Sequence, residues 1–533
     1  MPISLPPNSS TDALRTIFED FSAQEIDKVL GRLYARGEYE LAFEIAAAGF
    51  DRWVDNPGFL RRYRAVATQV GSLSEAGLAS YFLYRQKASS AHTVRHVEGK
   101  VRELSSWRPS IMAPAHSVTP SHPQRVLHLV KESRPYFSNG FTSRSHYNFV
   151  AEKAAGLDPV VMTEPGSCRR DDGRATNRVE RFEGIAHHHL GLPDLDMTQV
   201  PADMYLNLFA ELAYAQIHQI RPALIHASSG RRGYETALVA AALKRHTGLP
   251  FVYEVRSFFE ANWTADTTRE AKGEIFDKRM ALEAELMGEA DLVLTIGEAM
   301  RQEIQDRGVP ADRIGIIPNG VDDEAFRPQP RDAELAARYG LTGLPTFGYV
   351  SNMDHPREGQ ETLIHALAYL AAQGRETRCV LVGDGPRRPA LRELSESLGV
   401  RDRVVFTGRA DHAEIARYYG MIDIFVVPRV RERAATYVTP LKPFEAMAMR
   451  LPVVASDLPA LREIVAPPDR GLTFSQGDAE ELASVLIALQ DDPERREAIA
   501  EAGYAWVREE RTWRTNGDRY RRYFQDVVDA EGS

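Results

Sequence analysis

Only two cysteines, Cys168 and Cys379, occur in the 533 residues. They are far apart and have no metal-ligand spacing, so neither a disulfide framework nor a zinc module is expected. A reducing, cytoplasmic compartment is the simplest reading. No uncharged apolar run approaches the ~20 residues that cross a bilayer. The opening stretch, "MPISLPPNSSTDALRTIFEDF", has neither a basic n-region nor an apolar h-region, so it is not read as a signal peptide. Contact with the inner face of a membrane is expected to be peripheral at most. Basic charge is not in excess: 65 Lys and Arg stand against 75 Asp and Glu, a formal net charge of −10. That argues against a general nucleic-acid binder, whose footprint is basic, but leaves room for local phosphate pockets. What remains is an ordinary globular composition, 43% hydrophobic and 26% charged, in a chain long enough for two to four domains.

The grammar of the chain changes along its length. Residues 1–107 read as helices. "ARGEYELAFEIAAAGF" is loosely echoed by "TQVGSLSEAGLASYFL", with Gly37 and Ala42 repeated as Gly71 and Ala76, a shift of 34. That is the tetratricopeptide period; an irregular helical extension is an equal alternative. Residues 108–124 are proline-rich and aperiodic and read as a linker, so residues 1–110 are expected to be dispensable for folding and donor binding. From 125 onward, short apolar strands alternate with helices: "RVLHLV", "DPVVMT", "PALIHAS", "PFVYEVRS", "ADLVLTIG" and "IGIIPNG". The pattern pauses near 330 and restarts with "PTFGYVSN", "CVLVGDG", "RVVFTGR", "DIFVVPR" and "LPVVASD". Apolar strands without alternation, separated by helices, predict parallel sheets covered on both faces. The fold class is therefore α/β: two Rossmann-like doubly wound domains, 125–330 and 331–510, with a cleft between them. An all-α extension precedes them, and a last helix, 511–533, is expected to cross back to the first domain.

Two stretches carry candidate chemistry. In "TYVTPLKPFEAMAMRLPVVASD" a helix starting near Pro440 would expose the N–H groups of Leu441 and Lys442, with the Lys442 charge beside them. A helix start attracts phosphate. Glu445, one turn on, could accept hydrogen bonds from a ribose diol; alternatively it caps its own helix and Lys442 is merely solvated. "CVLVGDGPRR" places Gly383 and Gly385 after a strand. They permit close approach of a ligand or simply make a tight turn, since neither a Walker loop nor a full dinucleotide fingerprint is present.

The order "IGIIPNGVD … FGYVS … REGQETLIHAL … LVGDGP … RVVFTGR … VPRV … TPLKPFEAMAMRLPVVASD" resembles the retaining nucleotide-sugar glycosyltransferases of family four, which have the GT-B fold. The resemblance spans about residues 125–525. It implies that Glu445 is the second acid of the family's E-x7-E pair. The first falls at Tyr437, a departure shared with a subgroup that carries T-P-L-K before the acid. The donor diphosphate would then rest on the helix start and Lys442, with Thr439 and Leu441 beside it. "PYFSNGFTSRSHYNFVAE" matches the family's opening glycine loop, hinged at Gly140. "ALIHASSG" matches its His-x-His region at His226, and "VYEVRSFFEANW" places Arg256 and Glu260 at a strand end. Arg357 is the basic residue nearest the family's phosphate-binding pair, and Arg409 stands where the base is held. Lys442, Glu445, His226 and Arg256 are the implied catalytic set.

The resemblance implies transfer of a sugar from a nucleoside-diphosphate sugar, UDP favoured and GDP the alternative, to a glycan, lipid-linked or other hydroxyl acceptor. It implies retention and no required cofactor or metal, in a role such as cell-envelope polysaccharide synthesis. Two other readings stay open. One is a degenerate glycosyltransferase acting as a scaffold, with a protein partner on the N-terminal helices; the missing first acid motivates it. The other is a nucleotide-sugar epimerase of the same fold.

Overall fold

A computed structural model describes residues 16–531, apart from 135, 169–176, 193–194, 231–232, 265 and 412. Two sheets organise the α/β part. The first holds β1 (Arg125–Val130), β2 (Asp158–Thr163), β3 (Arg178–Phe182), β4 (Ile185–His189), β5 (Leu224–Ser228), β6 (Phe251–Val255), β7 (Leu292–Thr295) and β8 (Ile314–Ile316). Their order is β3-β4-β2-β1-β5-β6-β7-β8. All neighbours are parallel except β3 and β4, which form an antiparallel pair at the edge.

The second sheet holds β9 (Thr346–Val350), β10 (Arg378–Val382), β11 (Val404–Gly408), β12 (Ile424–Val427), β13 (Val453–Ser456) and β14 (Leu472–Phe474), in the order β11-β10-β9-β12-β13-β14. The chain winds outward in both directions from β9 and β12, and from β1 and β5 in the first sheet. Ligands of doubly wound sheets bind outside the carboxyl ends of the strands at such reversals. The strands that flank them, such as β5, β6 and β12, are buried along their whole length. That is why they lack polar alternation.

The final helix, Trp513–Glu531, returns to the first domain and packs on the helix Gly140–Ala154. Gly517 allows the approach, since a Cβ there would stand 2.3 Å from the Ala151 carbonyl oxygen. Tyr520 and Phe524 are buried against Val126, Leu224 and Val252.

The N-terminal helices pair antiparallel. Ala23–Ala35 and Tyr39–Ala48 turn at Gly37, and Pro57–Gln69 and Leu73–Arg85 turn at Gly71. Both glycines are left-handed, with φ of 77° and 72°, a conformation that favours residues without a Cβ.

This extension is seated firmly on the first α/β domain. Ile275 N–H donates to the Gly71 carbonyl, Ser74 N–H donates to Glu274, and Arg102 pairs with the buried Asp203 at 3.0 Å. A Cβ on Gly273 would stand 2.4 Å from the Val70 carbonyl oxygen. Residues 108–124, read as a linker, are bound along their length: Tyr214 donates to Pro114 O at 2.6 Å, Val118 N–H to Thr247 O, and Ile111 and Val118 are buried in the core. The expectation that residues 1–110 are dispensable is therefore revised. Deleting residues 1–107 uncovers Ile275 and strands Asp203. The truncated chain should aggregate or melt roughly 5 °C or more below the whole protein. An unchanged, cooperative melt would make the extension accessory after all.

Candidate functional site

The stretch "VTPLKPFEAMA" lies just beyond β12, at the reversal of the second sheet. Thr439 is buried and its carbonyl accepts from Asn319 Nδ2 of the first domain at 2.7 Å. Leu441 caps the helix Lys442–Ala448, with Pro443 in its first turn, where a missing N–H costs nothing. Glu445 is buried apart from a small surface, and its Oε2 accepts from the Tyr419 hydroxyl at 2.5 Å. Lys442 Nζ stands 3.2 Å from the same oxygen, with its side chain 36% exposed. Tyr419 is thus an orienting group that the sequence reading missed. Burial, then the Glu445 charge, push its hydroxyl well above the usual range, so it donates as a neutral phenol. Facing this segment from the first domain is Gly140, whose added Cβ would lie 3.9 Å from Leu441 Cδ1. Gly140 is the first residue of its helix, behind a capping box made by Asn139 and Thr142. Lys442, Glu445, Leu441, Thr439 and Gly140 are therefore brought together across the cleft.

The position of the family's first acid, Tyr437, ends a short helix, Arg433–Tyr437. Its ring meets Phe258 edge-on at 5.6 Å, and the Arg433 guanidinium lies 5.4 Å from its centroid. Arg433 reaches into the first domain, where it bonds Glu260 Oε1 at 2.7 Å and also Glu303; Arg307 bonds the same Glu260 oxygen at 2.6 Å. An interdomain ion cluster thus occupies this corner. Glu283 belongs to it, its carboxyl pushed up to about 8 by burial and by Glu260.

Other predicted residues fall elsewhere. His226 has no exposed surface; its Nδ1 is 2.8 Å from His128 Nδ1 and its Nε2 is 3.1 Å from Glu254. Burial lowers it to about 4, against the opposing pull of Glu254. Arg256 is also buried, bonded to Ser145 at 2.6 Å and to Glu254 at 3.1 Å. As folded, these two are engaged within the first domain, where they hold its strands and helices together. Glu254 completes the group by bonding Arg144 at 2.5 Å and accepting from Tyr520 at 2.9 Å.

Gly383 and Gly385 accommodate backbone. An added Cβ would meet Ser351 O at 1.9 Å and Met353 O at 2.5 Å, so close loop packing requires both. Arg357 lies 3.6 Å from both Glu358 and Glu432, its charge already shared between two carboxylates. Arg409 is exposed beyond β11, at the sheet's outer edge.

A second bridge joins the domains. Glu463 Oε2 accepts from the N–H groups of Glu298 (2.8 Å) and Ala299 (3.2 Å), at the start of the helix Glu298–Asp306. Burial raises its carboxyl to about 7, although those N–H groups pull it down. A folded value above the unfolded one means that its contribution is complete below about 4.5 and is lost as pH rises through about 7. Glu463→Gln imitates the protonated group. It should melt with wild type at pH 4.5 and about 2–4 °C above it at pH 8. Equal melting temperatures at pH 8 would show that the bridge does not titrate.

Comparison with known proteins follows the same division. The family "Glycosyl transferase 4-like domain" matches residues 139–320, and "Glycosyl transferases group 1" matches 344–492. The chain is 31% identical over 234 residues to a GDP-mannose-dependent alpha-(1-6)-phosphatidylinositol monomannoside mannosyltransferase of Mycolicibacterium smegmatis, covering 43% of this chain and 61% of the relative. It thus spans about three fifths of the length of the mycobacterial relatives it matches, 61% and 59%. It is 30% identical over 283 residues to the alpha-D-kanosaminyltransferase of Streptomyces kanamyceticus, covering 52% and 71%. Among solved structures, sucrose-phosphate synthase from Thermosynechococcus elongatus shares the fold at TM-score 0.61 and 22% identity, over 76% of this chain and 100% of that one. Anabaena HepE in complex with UDP does so at TM-score 0.58 and 18% identity, over 75% and 100%. The two doubly wound domains are therefore those of the GT-B architecture. With both family domains matched in order and the kanosaminyltransferase covered over 71% of its length, the chain belongs to the group 1 glycosyl transferases.

Proposed function

We propose that this chain is a glycosyltransferase that moves a sugar from a nucleoside-diphosphate sugar to a hydroxyl acceptor, with retention at the anomeric carbon. The observation that carries this is the Lys442–Glu445 pair, fixed by Tyr419 at the reversal of the second sheet and faced by Gly140 across the cleft. A carboxylate held in one orientation suits a ribose diol, and an ammonium beside it suits a diphosphate. As the glycosidic bond breaks, charge grows on the leaving phosphate oxygen. A preorganised cation stabilises that charge more than it stabilises the ground state. Lys442 supplies it; Arg357, already shared between two carboxylates, contributes less.

The similar proteins name GDP-mannose and UDP among their ligands, so UDP and GDP are the first donors to try. UDP is favoured, as the resemblance to the family implies. Among the described residues no helix is long and apolar enough to cross a membrane, and an acceptor presented at a membrane surface would be met peripherally. A thermal-shift screen against UDP, GDP, ADP and their sugars tests the reading. One nucleoside diphosphate should raise the melting temperature, and the product's anomeric configuration, read by NMR, should equal the donor's. No shift with any of them, or an inverted product, would overturn it.

A further inference from the structure

A cavity of about 370 Å³ lies between the helical extension and the first α/β domain. The extension contributes Arg64, Leu73 and Lys100 from three of its helices. The α/β domain contributes Tyr234, beyond β5, then Trp263, beyond β6, and Arg279 from the helix Glu274–Glu289. Gly71 seats the extension on this wall: a Cβ there would lie 3.0 Å from the Trp263 ring.

Its charge is unusual for a chain of net charge −10. Among the described residues neither the Arg64 guanidinium nor the Lys100 ammonium has a hydrogen bond or ion pair. Arg279 has only a 3.4 Å bond from Nη1 to the Phe259 carbonyl, and its Nε is buried without a partner. One carboxylate, Glu103, lines the same space. Three cations face one carboxylate and repel one another; Arg64 and Arg279 are partly withdrawn from water, while Lys100 is exposed. Such a cluster is stable where an anion compensates it. The aromatic walls add a flat surface: Tyr234 is buried, and Trp263 is held by a 2.9 Å bond from its indole N–H to the Glu270 carbonyl.

One chain segment links the cavity wall to the second domain. Residues 256–263 run from the end of β6, past Glu260, which bonds Arg433 of the second domain, to Trp263 in the cavity wall. We propose that the cavity binds the anionic end of the acceptor, a sugar unit that carries a phosphate or carboxylate, and that the helical extension exists to complete this seat. The proposal rests on the glycosyl-transfer reading for the word acceptor. The anion site itself stands on the cavity alone.

Trp263 makes the test direct. The whole protein is titrated by intrinsic fluorescence with glucose 6-phosphate, glucuronate, glucose and inorganic phosphate, while UDP and GDP binding is followed separately by calorimetry. At least one of the two anionic sugars should bind saturably and more weakly as salt rises. Glucose should not bind. Arg64→Ala and Arg279→Ala should each weaken the anionic sugar by about 10-fold or more, the loss of one charge-assisted bond. Arg64→Lys should retain most of the affinity, and nucleotide binding should be unchanged in all three.

The proposal is overturned if neither anionic sugar binds wild type. It is equally overturned if the folded variants bind as wild type does, or if inorganic phosphate binds as tightly as the sugars, which would make this a free-phosphate site. Loss of nucleotide binding by wild type, with the anionic sugar still bound, would instead overturn the glycosyl-transfer reading.

Discussion

Lys442→Ala should lower kcat by roughly 100-fold at saturating donor, with the fold intact. The ammonium is 3.2 Å from Glu445 and 36% exposed, so it is held without being sealed. Little core packing depends on it. Its value is electrostatic: a cation already in place when charge develops on the leaving diphosphate needs no reorganisation, and loss of one such donor typically costs 10²–10³ in rate. The effect should fall on kcat, because the interaction strengthens toward the transition state. Lys442→Arg should recover only part, since a planar fork does not replace a compact point charge. Wild-type turnover in Lys442→Ala would make this a surface lysine and remove it from the mechanism.

Glu254→Gln should cost about 3–5 kcal/mol of stability, read as a lower denaturation midpoint. Glu254 is fully buried between Arg144 and Arg256 and accepts from Tyr520 of the last helix. Burial alone would raise its carboxyl; the two guanidiniums and His226 outweigh that and hold it well below the usual range. The amide keeps the shape but leaves two buried cations without their anion. This one residue ties β6 to the helix Gly140–Ala154 and to the returning C-terminal helix. The damage should therefore be global, and the Trp513–Glu531 helix should lose amide-exchange protection together with the first sheet. A midpoint within 1 kcal/mol of wild type would show that the cluster is dispensable.

The sequence carried the α/β scaffold well because its central strands are buried on both faces and read as unbroken apolar runs. The exceptions have physical causes. β3, "RVERF", is an exposed edge strand, and β4, "IAHHH", buries histidines in place of aliphatic residues. β14 has three residues, too few for a pattern. The stretch 108–124 looked like a linker because proline breaks periodicity, yet Ile111 and Val118 are buried.

At the site, the Thr-Pro-Leu-Lys segment was legible because its residues are neighbours in the chain. Tyr419 was not, since its bond to Glu445 joins residues 26 apart. Arg433 sits in "RVRERAATY", which reads as a solvated charged run, and its partners lie in the other domain. For His226 the pattern gave a place in the strand "PALIHAS" but not its burial, to which Tyr520 and Phe524 from the far end of the chain contribute.

The central claim is that Glu445 holds the ribose of a nucleoside diphosphate beside Lys442. Calorimetric titration of the whole protein with UDP and with GDP, in wild type and in Glu445→Ala, tests it most directly. One of the two should bind wild type saturably. The variant, folded by its melt, should bind that nucleotide about 10–100-fold more weakly, the loss of a charge-assisted hydrogen bond of ~1.5–3 kcal/mol. An equal dissociation constant in the two proteins, or no binding of either nucleotide to wild type, would contradict the account.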